Sequence, residues 1–206
     1  MALLVYYVRH GHAENNDVGI FPDDENYQYK LTEKGLEQVK EIADFLSPSK
    51  AEAIFTSPVY RAKETAEIIA RNLSLKVFED YRLKEVELGT LKNRPVKEIF
   101  QNDPNWYYEY FEEGYKYGLE KYSKIRERML DFVKEKMEQG YSKIIAVSHL
   151  EPIRAMVTLT LKVSPKDVRK IEIHNASVTA LKFESKENLS EPRILCINCL
   201  PLTRIS

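Results

Sequence analysis

The chain has four histidines, and two of them stand beside an arginine in "VRHGHAENN": Arg9, His10, Gly11 and His12 follow directly on the apolar run "LLVYYV". Arg61 in "SPVYRAKETA" and His149 in "VSHLEPIRA" come just after two further apolar runs. Imidazole and guanidinium groups gathered with helix-start N–H groups favour an anion, and arginine's planar fork matches phosphate oxygens in pairs. A neutral imidazole held in place can attack phosphorus and carry the phosphoryl group covalently. Neighbouring cations depress its pKa and keep it nucleophilic. Arg9, Arg61 and His149 would then stabilise charge on the equatorial oxygens. The departing alkoxide needs a proton, and "LKEVELG" offers Glu85 and Glu87 just before Gly89.

Residues so far apart in sequence can meet only if the fold presents them together. In open α/β sheets, ligands bind beyond the carboxyl ends of the strands. Residues 3 to 8 and "KIIAVS" are unalternating apolar runs, which suits strands buried on both faces of a mostly parallel sheet, and "AEAIFTS" and "LKVFE" read as two more. Between them lie helical patterns. "LTEKGLEQVKEIADFL" has Thr32 as cap, and "SPVYRAKETAEIIARNL" has Ser57 as N-cap, Pro58 as first residue and Ala62, Ala66 and Ile69 inward. Residues 123 to 139 repeat Ile125, Met129, Phe132, Val133 and Met137 at helical spacing before Gly140, and "EPIRAMVTLTL" carries proline in its first turn. "KIEIHN", "SVTALKFES" and "RILCINCL" read as strands, the last with Cys196 and Cys199 as buried strand residues. Strands alternating with helices predict a three-layer α/β/α sandwich, mostly parallel, with an antiparallel element near the end.

Composition narrows the function classes. With 31 basic and 32 acidic residues the net charge is −1, so neither nucleic acid nor an anionic membrane is an expected partner. No apolar run approaches the roughly 18 residues of a membrane span, and no signal-peptide pattern opens the chain, so a cytoplasmic location is expected. A length of 206 residues without a Gly/Ser/Pro-rich linker suggests one domain. Its least regular part is about 92–122, where Trp106, Tyr107, Tyr108, Tyr110, Phe111, Tyr115, Tyr117 and Tyr122 crowd among acids and lysines. That segment reads either as short helices packing aromatics on the domain or as a lid over the site.

The ordered motifs together resemble the histidine phosphatase superfamily, also called the phosphoglycerate mutase-like family. "VRHGHAENN" resembles its nucleophile signature, with Asn16 at the spacing of a phosphate-contacting asparagine. "LTEKGLEQ" is similar to its second motif through Leu31, Thr32, Gly35 and Gln38, "SPVYRAKETA" to its third, "VSHLEPIRA" to its second-histidine motif, and "HNASVTAL" to a downstream Asn-Ala-Ser segment. The Leu, Glu and Gly spacing of "LKEVELG" selects Glu85 over Glu87 as proton donor. The resemblance implies the phosphoglycerate mutase-like fold and a metal-independent phosphatase with no cofactor, acting on a small phosphorylated substrate through a phosphohistidine. His10, Arg9, Arg61, His149 and Glu85 would be catalytic; Gly11, His12 and Asn16 would bind substrate. A homodimer is left open.

Two departures from the family pattern bear on the substrate: Leu150 follows the second histidine where glycine is usual, and "TLKN" follows Gly89 in place of Glu-Gly. The Gly-Leu-Asn-Lys stretch and adjacent arginine pair of the mutase branch are replaced by "LKNR" alone. This replacement favours phosphatase over cofactor-dependent phosphoglycerate mutase, and a catalytically weak phosphate-ligand sensor, in which Leu150 has spoiled the cleft, is the alternative from another class. Among the remaining polar residues, "HGHAE" could present His10, His12 and Glu14 to zinc, but lacks further ligands nearby. His174 reads as a sheet residue and Glu151 as a helix-dipole partner. Lys92, Arg94 and Lys116 read as solvated charges, with a second anionic group on the substrate as the alternative.

Overall fold

The apolar runs form one six-stranded sheet in a computed structural model, which describes residues 1–103, 106, 116–163 and 165–204. The strands are β1 (Leu3–Arg9), β2 (Ala53–Thr56), β3 (Val77–Glu79), β4 (Lys143–Ser148), β5 (Val178–Phe183) and β6 (Arg193–Cys199), in the order β3-β2-β4-β1-β5-β6. The first four are mutually parallel, and β5 and β6 add an antiparallel edge. The mostly parallel sheet with a late antiparallel element is the predicted arrangement.

Side-chain alternation along the strands sorts the core into two sheets of contact. Leu3, Val5 and Tyr7 of β1, Phe55 of β2 and Ile144 and Ala146 of β4 face one side. There they meet Ile125, Met129, Phe132 and Val133 of a helix over Tyr122–Glu138, and Ile153 and Met156 of a helix over Leu150–Leu161. Val8, Ile54, Ile145 and Val147 face the other side, against Val39, Ile42 and Leu46 of a helix over Glu33–Leu46 and Ala62, Ala66 and Ile69 of one over Tyr60–Leu73. Strands covered on both faces have no polar alternation, which is why they read as continuous apolar runs. With short helices over Glu14–Val18 and Val96–Asn102, the helices number α1 (Glu14–Val18), α2 (Glu33–Leu46), α3 (Tyr60–Leu73), α4 (Val96–Asn102), α5 (Tyr122–Glu138) and α6 (Leu150–Leu161).

Three local expectations change, and a fourth is tested only in part. Helix α3 starts at Tyr60 with Val59 at its cap, because the Ser57 amide is still bonded to the Val147 carbonyl at 3.0 Å and belongs to the strand end. "KIEIHN" forms no strand: Ile173 is buried, His174 is exposed, and the carbonyl of Ile173 serves a side chain instead of a ladder. The sulfurs of Cys196 and Cys199 are paired as a disulfide on the edge strand β6, where a left-handed Asn198 (φ 55°) and an irregular register against β5 break the alternation; both residues are only half-buried. Of the aromatic segment, Trp106 and Tyr122 are core residues and Tyr117 packs against the core, whereas Tyr107, Tyr108, Tyr110, Phe111 and Tyr115 lie outside the described residues.

The turn after β1 lies against the start of α2 more closely than any side chain would permit. A Cβ on Gly35 would stand 2.0 Å from the His12 carbonyl oxygen, and one on Gly11 would stand 2.6 Å from Val39 Cγ2 and 2.9 Å from the Gly35 carbonyl oxygen. The backbone neighbour at Gly35 cannot give way without moving the loop that carries His10. Gly35→Ala is therefore expected to cost about 1–3 kcal/mol or more. In calorimetry this should lower the unfolding midpoint by about 2–4 °C per kcal/mol for a chain of this size.

Candidate active site

Because β2, β4 and β1 are consecutive parallel neighbours, their carboxyl ends open at one edge of the sheet. The ladder continues into the loops: the His10 amide donates to the Ser148 carbonyl at 3.0 Å, and the Ser57 amide to Val147. His10 at the end of β1, His149 at the cap of α6 and Arg61 in the first turn of α3 are thereby placed together. The Asn-Ala-Ser segment clamps the first of these loops from behind: the Ala176 amide donates to the carbonyls of Arg9 and His10, and Asn175 Nδ2 donates to the His10 carbonyl at 3.1 Å.

His10 is 2% exposed, and its Nδ1 lies 2.7 Å from the carbonyl of Gly11. A carbonyl only accepts, so Nδ1 carries the hydrogen and Nε2 keeps its lone pair. Burial first, then the charges of Arg61 and Arg9, hold the ring's pKa well below its ordinary value, so the imidazole is neutral. Arg61 Nε donates to that lone pair at 3.0 Å. The rest of the Arg61 guanidinium, itself 1% exposed, forks onto the carboxylate of Asp24, with Nη2 at 3.0 Å from Oδ2, and Nη2 also faces His149 Nδ1 at 3.3 Å. His149 is fully buried, donates from Nε2 to Ser57 Oγ at 2.8 Å, and is kept neutral by burial and by Arg61. The two rings lie 5.2 Å apart, centre to centre. Arg9 donates to the Ile173 carbonyl at 2.6 Å; burial lowers its pKa to about 10, which leaves it a cation at neutral pH.

Glu85 has the opposite electrostatics. Its Oε1 accepts from the amides of Val86 (3.0 Å) and Glu151 (3.3 Å), the latter in the first turn of α6. Burial, and then the Glu151 carboxylate, push its pKa up to about 7 against the pull of the Val86 amide, Arg61 and Arg9. A neutral imidazole and a carboxyl that stays protonated near neutrality thus face one cavity of about 150 Å³. The cavity is lined on its polar side by Arg9, His10, Asn15, Asn16, Arg61, Glu85 and Glu151, and on the other by Phe21, Pro22, Val86, Leu88, Trp106 and Leu150.

Of the residues singled out in the sequence, Arg9, His10, Asn16, Arg61 and Glu85 line this cavity. Asn16 Oδ1 accepts from the Ala13 amide at 2.9 Å and from Asn175 at 3.4 Å, which turns its amide nitrogen into the role of donor. His149 stands behind the lining, in contact with Arg61. Gly11 and His12 are placed differently from the expectation. Gly11 sits against α2 with its amide on Thr65 Oγ1 (3.0 Å), and His12 turns its ring to Thr32 Oγ1 (3.0 Å) and towards Asp17 (3.5 Å). Glu14, the remaining donor of "HGHAE", accepts the Lys30 amide, so the three side chains of that run diverge, and among the described residues no three His, Cys, Asp or Glu side chains gather as a metal-ligand set. Glu87 is exposed and paired with Lys84; Lys92, Arg94 and Lys116 are paired with Glu25, Glu98 and Asp103. Glu151 does stand in the first turn of α6, where it also takes hydrogen bonds from Arg154 and Tyr122.

Several site residues carry no signal in the sequence. Asp24 belongs to a loop without periodicity or motif, and only the fold shows that it meets Arg61. Asn15 lines the cavity with its Oδ1 buried, and Ser57, which reads as a helix cap, is the partner of His149. Thr65, one turn after Arg61, bonds both the Gly11 amide and the Arg61 carbonyl.

Residues 5–193 match the family described as histidine phosphatase superfamily (branch 1). A 2,3-bisphosphoglycerate-dependent phosphoglycerate mutase of Thermoplasma acidophilum is 29% identical over 95% of this chain and 92% of its own. Phosphoserine phosphatase 1 of Hydrogenobacter thermophilus is 29% identical over 88% of this chain and 87% of its own. Among solved structures, a mycobacterial glucosyl-3-phosphoglycerate phosphatase superposes with a TM-score of 0.80 at 22% identity, covering 97% of this chain and 100% of the other. No described helix is long and apolar enough to cross a membrane. With the family pattern spanning nearly the whole chain and its motifs converging on one cavity, this protein belongs to branch 1 of the histidine phosphatase superfamily.

Proposed function

We propose that the protein hydrolyses a phosphomonoester through a phosphohistidine on His10, without a metal ion. The observation that carries this is the pairing, across one cavity, of a neutral His10 whose Nε2 lone pair faces Arg61 with a Glu85 that holds its proton to about pH 7. An incoming phosphoryl group takes over the donors of Arg61 and Arg9, and the Asn16 amide, as Asp24 leaves the guanidinium. With Arg61 turned to the phosphoryl oxygens, the His10 lone pair is released. Nε2 then attacks phosphorus in line, the bond to the ester oxygen breaks, and the Glu85 proton passes to that oxygen. In the second half, Glu85 takes a proton from water as its oxygen attacks phosphorus. The P–N bond breaks, phosphate departs, and both groups return to their starting states. His149 acts through Arg61, which it touches, rather than on the reacting atoms.

The mutase reading rests on the Thermoplasma relative, and identity alone does not separate it from the phosphatase reading, since both relatives stand at 29%. Interconversion of 2- and 3-phosphoglycerate with a bisphosphorylated primer separates the two, and we expect none. A phosphate-ligand sensor would bind phosphorylated compounds without forming an acid-labile phosphoenzyme.

His10→Ala should lower kcat by about 10³-fold or more, by removing the covalent route; near-normal turnover in pure protein would reject the assignment. Glu85→Gln should lower kcat by about 10²–10⁴-fold for alkyl esters, whose leaving oxygens need a proton. In the wild type, kcat should fall as pH rises above about 7, and this limb should be missing in Glu85→Gln. Stability follows the same group: a carboxyl whose pKa is raised from 4.5 on folding contributes fully at acid pH and loses that contribution as pH rises through about 7. Denaturant titrations should therefore show Glu85→Gln gaining on the wild type between pH 5 and pH 8.

Asp24→Asn keeps the shape of the side chain and removes the charge that competes with phosphate for Arg61. A charge-assisted hydrogen bond contributes about 1.5–3 kcal/mol, so inorganic phosphate should bind the variant about tenfold more tightly by titration calorimetry. Unchanged affinity would show that Asp24 does not yield to the ligand.

A further inference from the structure

The chemistry of the cavity is concentrated at one end, and its other end is apolar. Beyond the polar floor the lining is Phe21, Pro22, Val86, Leu88, Trp106 and Leu150. These are anchored side chains: Phe21 and Trp106 meet edge to face at 5.3 Å, Trp106 and Phe100 do the same at 5.4 Å, and Leu88 belongs to the core. Leu150, the residue after the second histidine, replaces a glycine in the family pattern with a branched apolar side chain aimed at the cavity.

A substrate whose alcohol carries a carboxylate would need a cation there, and the described residues supply none at that end of the cavity. Among the described residues the only cations lining the cavity are Arg9 and Arg61, both committed to the phosphoryl end. Lys84 is paired with Glu87 at 3.0 Å, Lys92 with Glu25 at 2.9 Å, Lys116 with Asp103 at 2.5 Å, and Arg154 with Glu151 at 3.1 Å. Of the two acids in the lining, Glu85 holds its proton near neutrality and Glu151 adds a carboxylate instead of a cation. Burying a carboxylate in such surroundings without a partner is costly, whereas an apolar group gains by leaving water.

We infer that the protein selects phosphomonoesters of apolar or aromatic alcohols and discriminates against those whose alcohol bears a carboxylate, such as phosphoglycerate or phosphoserine. This specificity rests on the phosphatase reading above, and Leu150 is the residue of this chain that most directly sets it.

The test compares esters with similar alkoxide leaving groups, so that chemistry does not mask binding: benzyl phosphate, glycerol 3-phosphate, phosphoserine and 3-phosphoglycerate. We expect kcat/KM for benzyl phosphate to exceed that for either carboxylated ester by at least about tenfold, the loss expected when a polar group enters an apolar pocket unpaired. Comparable or higher values for the carboxylated esters would overturn the inference and leave the phosphatase reading standing. Absence of turnover for every ester would overturn the phosphatase reading. In that case titration calorimetry of benzyl phosphate and 3-phosphoglycerate on His10→Ala still decides the binding preference, and equal or reversed affinities would overturn it. Leu150→Lys should shift the kcat/KM ratio towards 3-phosphoglycerate at least tenfold, while Leu150→Met leaves it within about threefold, as volume-conserving apolar swaps do. A ratio unmoved in folded Leu150→Lys would remove Leu150 from the specificity argument.

Discussion

A guanidinium withdrawn from water is the constraint around which this site is organised. Arg61 is 1% exposed, and a buried cation is tolerated only when nearly every donor finds an acceptor. Here the fork is matched by the Asp24 carboxylate, the Nε–H by His10 and the inner Nη2 by His149. Each partner is supplied by a different part of the chain: the loop before α2, the end of β1 and the cap of α6. The two imidazoles can accept from Arg61 only while neutral, and the same cation is among the reasons that their pKa values lie well below the ordinary range. Burial and the same cation that these groups neutralise thus together keep His10 in the neutral state that the proposed attack requires.

That dependence extends into the fold. His10 cannot face Arg61 unless its backbone turns sharply after β1, and the turn is held by carbonyl and amide contacts with Ser148, Asn175 and Ala176 on one side and by the close approach of Gly11 and Gly35 on the other. Glu85 belongs to the same system from the opposite direction. It is fixed at the first turn of α6, whose cap is His149, so Glu85 and His149 are positioned by a single helix end. Two carboxylates, Glu85 and Glu151, share that end. Their mutual repulsion, added to burial, raises Glu85 to about 7.

What could be read from the sequence were the elements whose signal is local. The strands with both faces covered announce themselves as apolar runs, the helices by their spacing and caps, and the residues at strand ends by their chemistry. That Arg9, His10, Arg61 and Glu85 would share one cavity was legible because their types suit an anion and the ordered motifs fix their positions. Asp24 was not, since an acid in a loop looks solvated until the fold brings Arg61 to it. His12 differs for the converse reason: its neighbours in sequence line the cavity, but its own ring turns to Thr32 at the cap of α2. The missing strand in "KIEIHN" and the paired cysteines of β6 show the same limit. Alternation and spacing say which side chains share a face, and neither says whether a neighbouring strand is present or whether a bulge breaks the register.

The loop that supplies Asp24 also supplies Phe21 and Pro22 to the apolar side of the cavity. It is tied down on both sides of those residues: Phe21 exchanges backbone hydrogen bonds with Arg94 and Asn93, and Asp23 accepts from the side chains of Asn26 and Asn93 at 2.9 Å. Adjacent acids therefore have different tasks. Asp23, 5% exposed, anchors the loop from within, whereas Asp24 reaches across to Arg61. Because the anchors lie at Phe21 and Asp23, Asp24 can leave the guanidinium by side-chain rotation while the apolar lining keeps its shape. Recognition of the phosphoryl group, which must displace a carboxylate, is then separable from recognition of the alcohol, which meets a preformed surface. A ligand that offers only a phosphate has to overcome the first contact unaided, and one that also offers apolar area gains at the second what it spends at the first.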